Sequence, residues 1–260
     1  MTQRTARRFT LAHLTLGAPP AESIAAARQA GFDAIGIRIA PRRPEEPYPV
    51  RIIGEPETIR SIRQQARDAG VRISNVQAYQ FFPDTRWEDV QAVIATAHEL
   101  GAPMILAYSF DPDQARFLDI FARYCEEARK AGIRIAIEFL PYSQIRNLPG
   151  ALDVIDRSGA SNAGVCIDAL HLHRSGGSVG DVAHVSAERL ALVQVCDAPL
   201  EPGPMTEAEL MTEARTQRRP PGEGDLPLFE LLDLLPVKVE LEYEVAPAAR
   251  AAWTPLQKAK

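Results

Sequence analysis

Four apolar stretches in the second half of the chain end in side chains that carry oxygen donors. In chain order these donors are Glu138, Asp168, Gln194 and the alternating glutamates Glu240, Glu242 and Glu244. A carboxylate inside an apolar segment is costly unless a cation or hydrogen bonds compensate for it. Because oxygen donors favour hard divalent ions, the pattern predicts one Mg²⁺ or Mn²⁺ ion, with Co²⁺ or Zn²⁺ as alternatives.

A repeated sequence pattern indicates the helices and strands that must position these donors. An amphipathic segment ends in a glycine, at positions 31, 70, 101 and 132, and a short apolar run follows. A glycine there suits the left-handed residue that ends a helix, and near-continuous apolar runs are typical of buried parallel strands. The predicted strands are Phe9–Leu16, Ala34–Ile39, Val71–Ala78, Met104–Tyr108, Ile133–Phe139, Ala163–Asp168, Leu190–Cys196 and Val237–Glu244.

Helical segments fit between most of these strands. They are Pro20–Ala30, Pro56–Ala69, Trp87–Leu100, Pro112–Ala131, Leu148–Ser158 and Leu226–Leu234. Eight β/α units predict an α/β fold, a single (β/α)8 TIM barrel over residues 1–260. A doubly wound sheet is the alternative, but no glycine-rich G-x-G-x-x-G turn follows the first strand. The barrel would bring the four donor-bearing strand ends to one mouth, with 197–224 as a long loop above it.

Composition limits the partners of the chain. It has 260 residues, a net charge of −5 and no apolar run near the ~20 residues that span a bilayer. The excess of acidic over basic residues disfavours binding to nucleic acid or to anionic membranes. The three cysteines include no C-x-x-C pair, which disfavours a disulfide framework or a zinc site built on cysteines. We therefore expect a cytoplasmic protein with a small-molecule substrate, no nucleic-acid partner and no membrane partner.

The chain resembles the xylose-isomerase-like TIM barrel superfamily, the sugar phosphate isomerase and epimerase group, over nearly its whole length. The resemblance is carried by Ile137-Glu138-Phe-Leu-Pro141, Asn162-Ala-Gly-Val-Cys-Ile-Asp168-Ala-Leu-His171, Val193-Gln194-Val-Cys-Asp197-Ala-Pro199 and Pro221-Gly222-Glu-Gly224. It implies metal ligands at Glu138, Asp168, Gln194 and a glutamate of the last strand. Most members have histidine where this chain has Gln194; glutamine occurs in hydroxypyruvate-isomerase-like members and some 3-dehydroshikimate dehydratases.

The last-strand ligand has two candidates. Glu242 and Glu244 share the parity of alternating strand residues, so alternation does not separate them. Glu244-Val-Ala-Pro247 looks most like the strand end of the family, which favours Glu244. If the last strand is instead aligned with the fifth strand so that Val237 matches Ile133, the position of Glu138 falls on Glu242, which favours Glu242.

The resemblance also implies roles around the metal. Glu138 and Glu244 would exchange protons with the substrate, and His171 would contact a substrate oxygen. Arg215 resembles the substrate-binding arginine of the seventh loop; a solvated loop charge is the alternative. Three further strand-end residues are candidates for lining the pocket, and Arg38 among them could instead form a packing salt bridge: Arg38, Gln77 and Tyr108.

Four functions come into question for this site; the resemblance as a whole favours the first, the second is the alternative, and the third is disfavoured. The first is a metal-dependent isomerase or epimerase that removes a proton next to a carbonyl through a metal-stabilised enediolate. The second is a dehydratase on the same site, such as a 3-dehydroshikimate or inosose dehydratase. The third, an abasic-site endonuclease, needs many histidine ligands, and this chain has only five histidines. The fourth is a catalytically silent barrel. A homodimer or homotetramer is an expectation from the resemblance.

Overall fold

Eight parallel strands close into a barrel in which the first strand pairs with both the second and the last. The computed structural model describes residues 7–41, 50–201 and 203–260. The strands are β1 (Phe9–Leu11), β2 (Ala34–Arg38), β3 (Arg72–Phe81), β4 (Met104–Ser109), β5 (Arg134–Glu138), β6 (Ala163–Asp168), β7 (Leu190–Val195) and β8 (Glu240–Tyr243). The predicted single TIM barrel is confirmed.

Helices surround this barrel. They are α1 (His13–Leu16), α2 (Pro20–Ala30), α3 (Pro56–Ala69), α4 (Trp87–Leu100), α5 (Gln114–Lys130), α6 (Leu148–Ser158), α7 (Ala169–Arg174), α8 (Val179–Val182), α9 (Glu207–Thr216), α10 (Leu228–Leu234) and α11 (Pro255–Ala259), with a 3-10 turn at Ala248–Arg250. Four predicted helices, α2, α3, α4 and α6, have the bounds that the sequence indicated. Gly31, Gly70 and Gly101 end α2, α3 and α4 with positive φ, as the repeated sequence pattern predicts.

Several element ends differ from the prediction by a few residues, and three differences bear on the site. The first strand ends at Leu11, because the chain turns into α1 at His13. The third strand continues to Phe81 through a register shift between Val76 and Tyr79, so Gln77 lies within it rather than at its end. The long loop after β7, predicted to be irregular, contains a helix, α9.

The strand register sets the level of the polar side chains. Asp168 pairs with Gln194, and Gln194 pairs with Glu242, across three neighbouring strands. Paired residues of parallel strands project to the same face, so these side chains enter the barrel interior together. Below them, an apolar cluster fills the interior: Met104, Leu106, Ala136, Cys166, Ala191 and Leu192. The polar layer therefore rests on a closed apolar floor.

Within the described residues, no helix combines the length and apolar character that crossing a bilayer requires.

Candidate active site

Glu242 lies at the centre of an amide cluster inside the barrel. Its side chain is fully buried; Oε1 accepts a hydrogen bond from Asn75 Nδ2 at 2.8 Å, and Oε2 accepts from Gln77 Nε2 at 2.5 Å and Gln194 Nε2 at 2.8 Å. Burial, and then the charge of Glu244, raise the pKa of Glu242 to about 8. Three amide donors hold this carboxyl in place, but they do not offset the free-energy cost of ionising it in a buried position.

Two smaller residues shape this cluster. A Cβ at Gly36 would lie 2.8 Å from both Asn75 Oδ1 and Glu242 Oε1, so only a glycine leaves room for them. Cys166 Sγ contacts Gln194 Oε1 at 3.5 Å, which leaves the Gln194 amide nitrogen directed at Glu242. The amide orientation is thereby set by a thiol on one side and a carboxyl on the other.

The three glutamates of the last strand lie at different levels of the barrel. Glu240 pairs with Arg72 at 3.1 Å and accepts a hydrogen bond from Thr10, at the level where the strands begin. Glu242 belongs to the amide cluster, and Glu244, just beyond β8, lines the cavity at the mouth. The three side chains lie on the same face of the strand, but they differ in their level along the barrel.

Arg218 is a fully buried cation among these acids. Its Nη1 donates to Asp168 Oδ2 at 2.6 Å and contacts Cys196 Sγ at 3.0 Å, while Nη2 lies 3.3 Å from Glu244 Oε2. Its Nε donates to the Ala214 carbonyl at 2.7 Å, which ties it to α9. Arg218 was not among the residues that the sequence pattern indicated; Arg215, on the same loop, also lines the cavity but is half-buried.

Both oxygens of Asp168 are engaged. Oδ1 accepts from the His171 backbone N–H at 2.9 Å and caps α7, and Oδ2 accepts from Arg218. Burial raises the pKa of Asp168, but Arg218 and His171 outweigh burial and leave that pKa below its ordinary value. Asp168 is therefore ionised at neutral pH.

His171 and Glu138 line the same cavity as Glu244. Burial, with Arg218 and Arg174, lowers the pKa of His171 to about 4, so its ring is neutral. Because Arg218 Nη2 only donates, His171 Nε2 accepts in their 3.3 Å contact. Glu138 Oε1 lies 3.7 Å from the same nitrogen. Burial, followed by the charges of Glu244 and Asp168, raises the pKa of Glu138 well above its ordinary value.

These residues fit a divalent cation. Single ligand atoms of Glu138, Asp168 and His171 lie within 4.8 Å of one another, and all three residues are buried. Burial first, and then the charge of Glu244, raises the pKa values of Glu138 and Glu242, so a nearby positive charge would be needed to balance their ionised forms. A divalent ion would restore that balance. The donor set is the oxygen-rich kind that the sequence predicts for a hard cation.

A cavity of about 60 Å³ opens above the carboxylates and gathers most of the predicted substrate-contacting residues. Those that line it are Arg38, Gln77, Tyr108, Glu138, His171, Arg215 and Glu244. Arg38 Nε donates to His13 Nε2 at 2.9 Å, and Gln80 Nε2 donates to the Tyr108 hydroxyl at 2.7 Å. Asp168, Gln194 and Glu242 lie beneath the cavity and do not line it.

The loop that carries Arg218 is anchored by Asp197. Its Oδ1 accepts from the backbone N–H groups of Ala198 at 2.9 Å and Leu226 at 3.1 Å, and Oδ2 accepts from Gly222 at 2.8 Å. Two backbone hydrogen bonds also join Asp197 to Arg219. Asp197, which follows the β7 ligand candidate in the sequence, thus supports the loop and does not enter the cavity.

A second anchor holds α9. Arg174 at the end of α7 makes a bidentate pair with Glu213 at 2.7 Å and 2.7 Å, and both side chains are buried. The sequence does contain a signal for α9, because Thr206 and Glu209 have the spacing of a capping box and form one in the structure. That signal would have indicated an ordered loop and drawn attention to the arginines after it.

Comparison with known proteins agrees with this architecture. Residues 24–251 match the family described as xylose isomerase-like TIM barrel. The chain is 25% identical over 236 residues to a 3-dehydroshikimate dehydratase of Pseudomonas aeruginosa. This matched region covers 86% of this chain and 35% of that protein. It is 22% identical over 161 residues to an inosose isomerase of Halalkalibacterium halodurans, covering 58% of this chain and 54% of that protein. The chain thus spans about a third and about half of these two relatives.

A solved structure has the same fold. The IOLI protein with a binding zinc atom superposes with a TM-score of 0.78 over 97% of this chain and 94% of that chain, at 16% identity. This likeness concerns the fold.

The anchoring role of Asp197 is tested by Asp197→Ala. Two buried backbone donors, at Ala198 and Leu226, would lose their acceptor, at roughly 1–3 kcal/mol each, so the free energy of unfolding should fall by about 2–6 kcal/mol. Urea denaturation measures this, and hydrogen exchange should quicken across residues 217–226. Asp225→Ala, at an exposed position of the same loop, is the control. Equal stability of the two variants would contradict the role.

The raised pKa of Glu242 predicts a pH dependence of stability. A carboxyl that binds its proton more tightly in the folded protein lowers stability as the pH rises from its ordinary 4.5 toward about 8. Glu242→Gln removes that loss, and Asn75 Oδ1, which has no hydrogen-bond partner among the described residues, can accept from the new amide once Asn75 rotates. In chelator, the variant should therefore gain on the order of 3 kcal/mol over the wild type between pH 5 and pH 9.

Urea titrations at several pH values make this measurement. Glu240→Gln is the control, because it lies on the same strand but pairs with Arg72 outside the cluster. Parallel pH profiles for the wild type and Glu242→Gln would show that Glu242 carries no such charge cost.

Proposed function

Because the chain belongs to the xylose isomerase-like TIM barrel family, we propose that it removes a proton next to the carbonyl of a polyhydroxylated ketone, with a divalent metal ion as cofactor. We further propose that the reaction ends in loss of water from a substrate that bears a carboxylate. The observation that carries this proposal is one cavity that combines the acids Glu138 and Glu244 with the cations Arg38, Arg215 and Arg218. The similarity to a 3-dehydroshikimate dehydratase supports it.

Asp168, Gln194 and Glu242 would hold the metal, and Glu138 would complete the set in its ionised form. The Gln194 amide nitrogen lies 2.8 Å from Glu242 Oε2, so the two side chains are close enough to hold one cation together. Rotating the amide exchanges its nitrogen for its oxygen. This contact supports Glu242 as the last-strand ligand, in place of Glu244, which the sequence favoured. When bound, the metal polarises the carbonyl and offsets negative charge that develops on its oxygen.

Glu138 and Glu244 are the proton-transfer groups of this proposal. Glu244 suits the role of base, because the Arg218 guanidinium 3.3 Å away stabilises its carboxylate form. Glu138, which would hold the metal through one oxygen, keeps a second oxygen that can carry a proton and return it to the departing hydroxyl. Two carboxyls on one cavity, one beside the Arg218 guanidinium and one beside His171, allow one site to act as both base and acid.

The remaining cavity residues would bind and orient the substrate. Arg38 and Arg215 present guanidinium groups at the mouth, and a guanidinium matches a carboxylate with two parallel hydrogen bonds. His171 is neutral, so it can hydrogen-bond a substrate hydroxyl without adding charge. Tyr142 packs edge-on against its ring, with centroids 5.7 Å apart, and helps to fix its orientation.

Isomerisation or epimerisation is the second candidate. It needs two acid–base groups that reach one planar intermediate, and the presence of both Glu138 and Glu244 on the same cavity favours it. The similarity to an inosose isomerase supports this reaction. The two candidates share the first proton abstraction and differ in the fate of the intermediate, which either loses a hydroxyl group or regains a proton.

Proton NMR in D₂O tests the proposal with Mg²⁺-loaded protein and a chelated sample as control. The substrates are 3-dehydroshikimate, an inosose, hydroxypyruvate and simple ketoses. Metal-dependent loss of water from the carboxylated compound is the expected result. Deuterium exchange with a new stereoisomer or aldose–ketose partner would favour the second candidate, and absence of exchange throughout the panel would contradict the shared step.

Paired variants separate the proposed roles. Glu244→Gln should lower the rate of proton exchange by roughly 10²–10⁴-fold, the usual contribution of a positioned base, while Mn²⁺ affinity stays within a few fold. Glu242→Gln should instead lose Mn²⁺ binding. Calorimetric titration measures the affinity, and Glu99→Gln on the exposed face of α4 is the control. Loss of Mn²⁺ binding in Glu244→Gln with retention in Glu242→Gln would reverse the assignment.

A further inference from the structure

Both oxygens of Asp168 already accept a hydrogen bond from the protein. Oδ1 caps α7 through the His171 N–H, and Oδ2 lies 2.6 Å from Arg218 Nη1. A carboxylate can bind a metal only through an oxygen that faces the ion. Oδ1 is tied to the backbone of α7, whereas Oδ2 is held by a side chain that can move, so Oδ2 is the oxygen that can exchange its partner for a cation.

Arg218 also contacts a second carboxylate, that of Glu244. Its Nη2 lies 3.3 Å from Glu244 Oε2, at the cavity, and its Nε is tied to the Ala214 carbonyl at the end of α9. The guanidinium thus bridges a deep carboxylate, Asp168, and a shallow one, Glu244. A turn of the guanidinium about its anchored end would release Asp168 and keep Glu244.

We propose that Arg218 and the divalent cation compete for Asp168, so that the loop between β7 and β8 sets the metal affinity of the site. The inference rests on the metal site in the proposed function. When the cation binds Asp168, like-charge repulsion drives the guanidinium toward Glu244 and the cavity, where it faces the substrate. Arg218 is thereby a positioning residue that couples metal binding to the state of the substrate pocket.

The alternative is that Arg218 organises the acids for the metal. A guanidinium that merely keeps Asp168 ionised and oriented would raise metal affinity, and its removal would weaken binding. Competition predicts the opposite sign. The direction of the change in affinity therefore decides between the two roles.

Calorimetric titration with Mn²⁺ measures this direction in the wild type, Arg218→Met and Arg215→Met. Methionine keeps an unbranched side chain without the charge. Arg218→Met should bind Mn²⁺ about tenfold or more tightly than the wild type, because Asp168 Oδ2 is released and a neighbouring positive charge is lost. Arg215→Met removes a charge from the same loop without a contact to Asp168 and should change the affinity by less than about threefold.

Thermal unfolding gives a second readout. In chelator, Arg218→Met should melt below the wild type, because Asp168 loses its buried partner. Excess Mn²⁺ should narrow or reverse that difference, since the ion replaces the missing cation. Arg218→Lys keeps one charge in a shorter side chain without the planar fork and should lie between the two; it serves if Arg218→Met does not fold.

Each outcome decides a separate claim. No Mn²⁺ binding by any of the proteins, the wild type included, would overturn the metal site of the proposed function together with this inference. Mn²⁺ binding by the wild type, with equal or weaker binding by Arg218→Met, would overturn the competition and leave the proposed function standing. A stability difference that Mn²⁺ does not alter would likewise contradict competition.

Discussion

The mouth of the barrel is governed by buried negative charge that the neighbouring groups do not fully balance. Glu138, Asp168, Glu242 and Glu244 lie at the carboxyl ends of β5, β6 and β8, and Arg218 contacts two of them. The pKa values of the acids differ according to their distance from this guanidinium. Asp168, beside the guanidinium, has a lowered pKa, whereas the pKa values of Glu138 and Glu242 are raised. A site with this imbalance is suited to bind either protons or a cation, and that choice underlies the proposed chemistry.

The rest of the structure serves to hold these acids close together. Strand register places Asp168, Gln194 and Glu242 at one level, and amide donors from β3 and β7 fix the Glu242 carboxyl. On the outer side, Asp197 closes the loop after β7 with three backbone hydrogen bonds, and that loop delivers Arg218. Repulsion among the acids is thus opposed by covalent geometry and by hydrogen bonds to groups that carry no charge.

Much of this arrangement could be predicted from the sequence, because it follows from local patterns. Parallel strands buried on both faces leave apolar runs, and helix-ending glycines leave the repeated sequence pattern, so eight units and their strand-end acids could be recognised. The resemblance to family motifs added Gln194 and His171 to the candidates for this site.

Other features depend on depth and on long-range contacts. Alternation along β8 could not separate Glu240, Glu242 and Glu244, because they share a face and differ only in their level along the barrel. Arg218 could not be distinguished from its loop neighbours, because its burial depends on contacts with Asp168, Cys196 and Glu244, which lie far from it along the chain. His13, which the sequence placed in a strand, lies in α1 and lines the cavity, because β1 ends after three residues.

A crystal structure of the protein grown with Mn²⁺, with anomalous diffraction to locate the ion, tests the central claim most directly. The account predicts a single Mn²⁺ peak within about 2.2 Å of oxygens of Glu138, Asp168, Gln194 and Glu242, the distance expected for a hard cation on oxygen ligands. It also predicts that the Arg218 guanidinium has left Asp168 for Glu244. A peak elsewhere in the molecule, or an ion bound by these acids with Arg218 still on Asp168, would contradict the account.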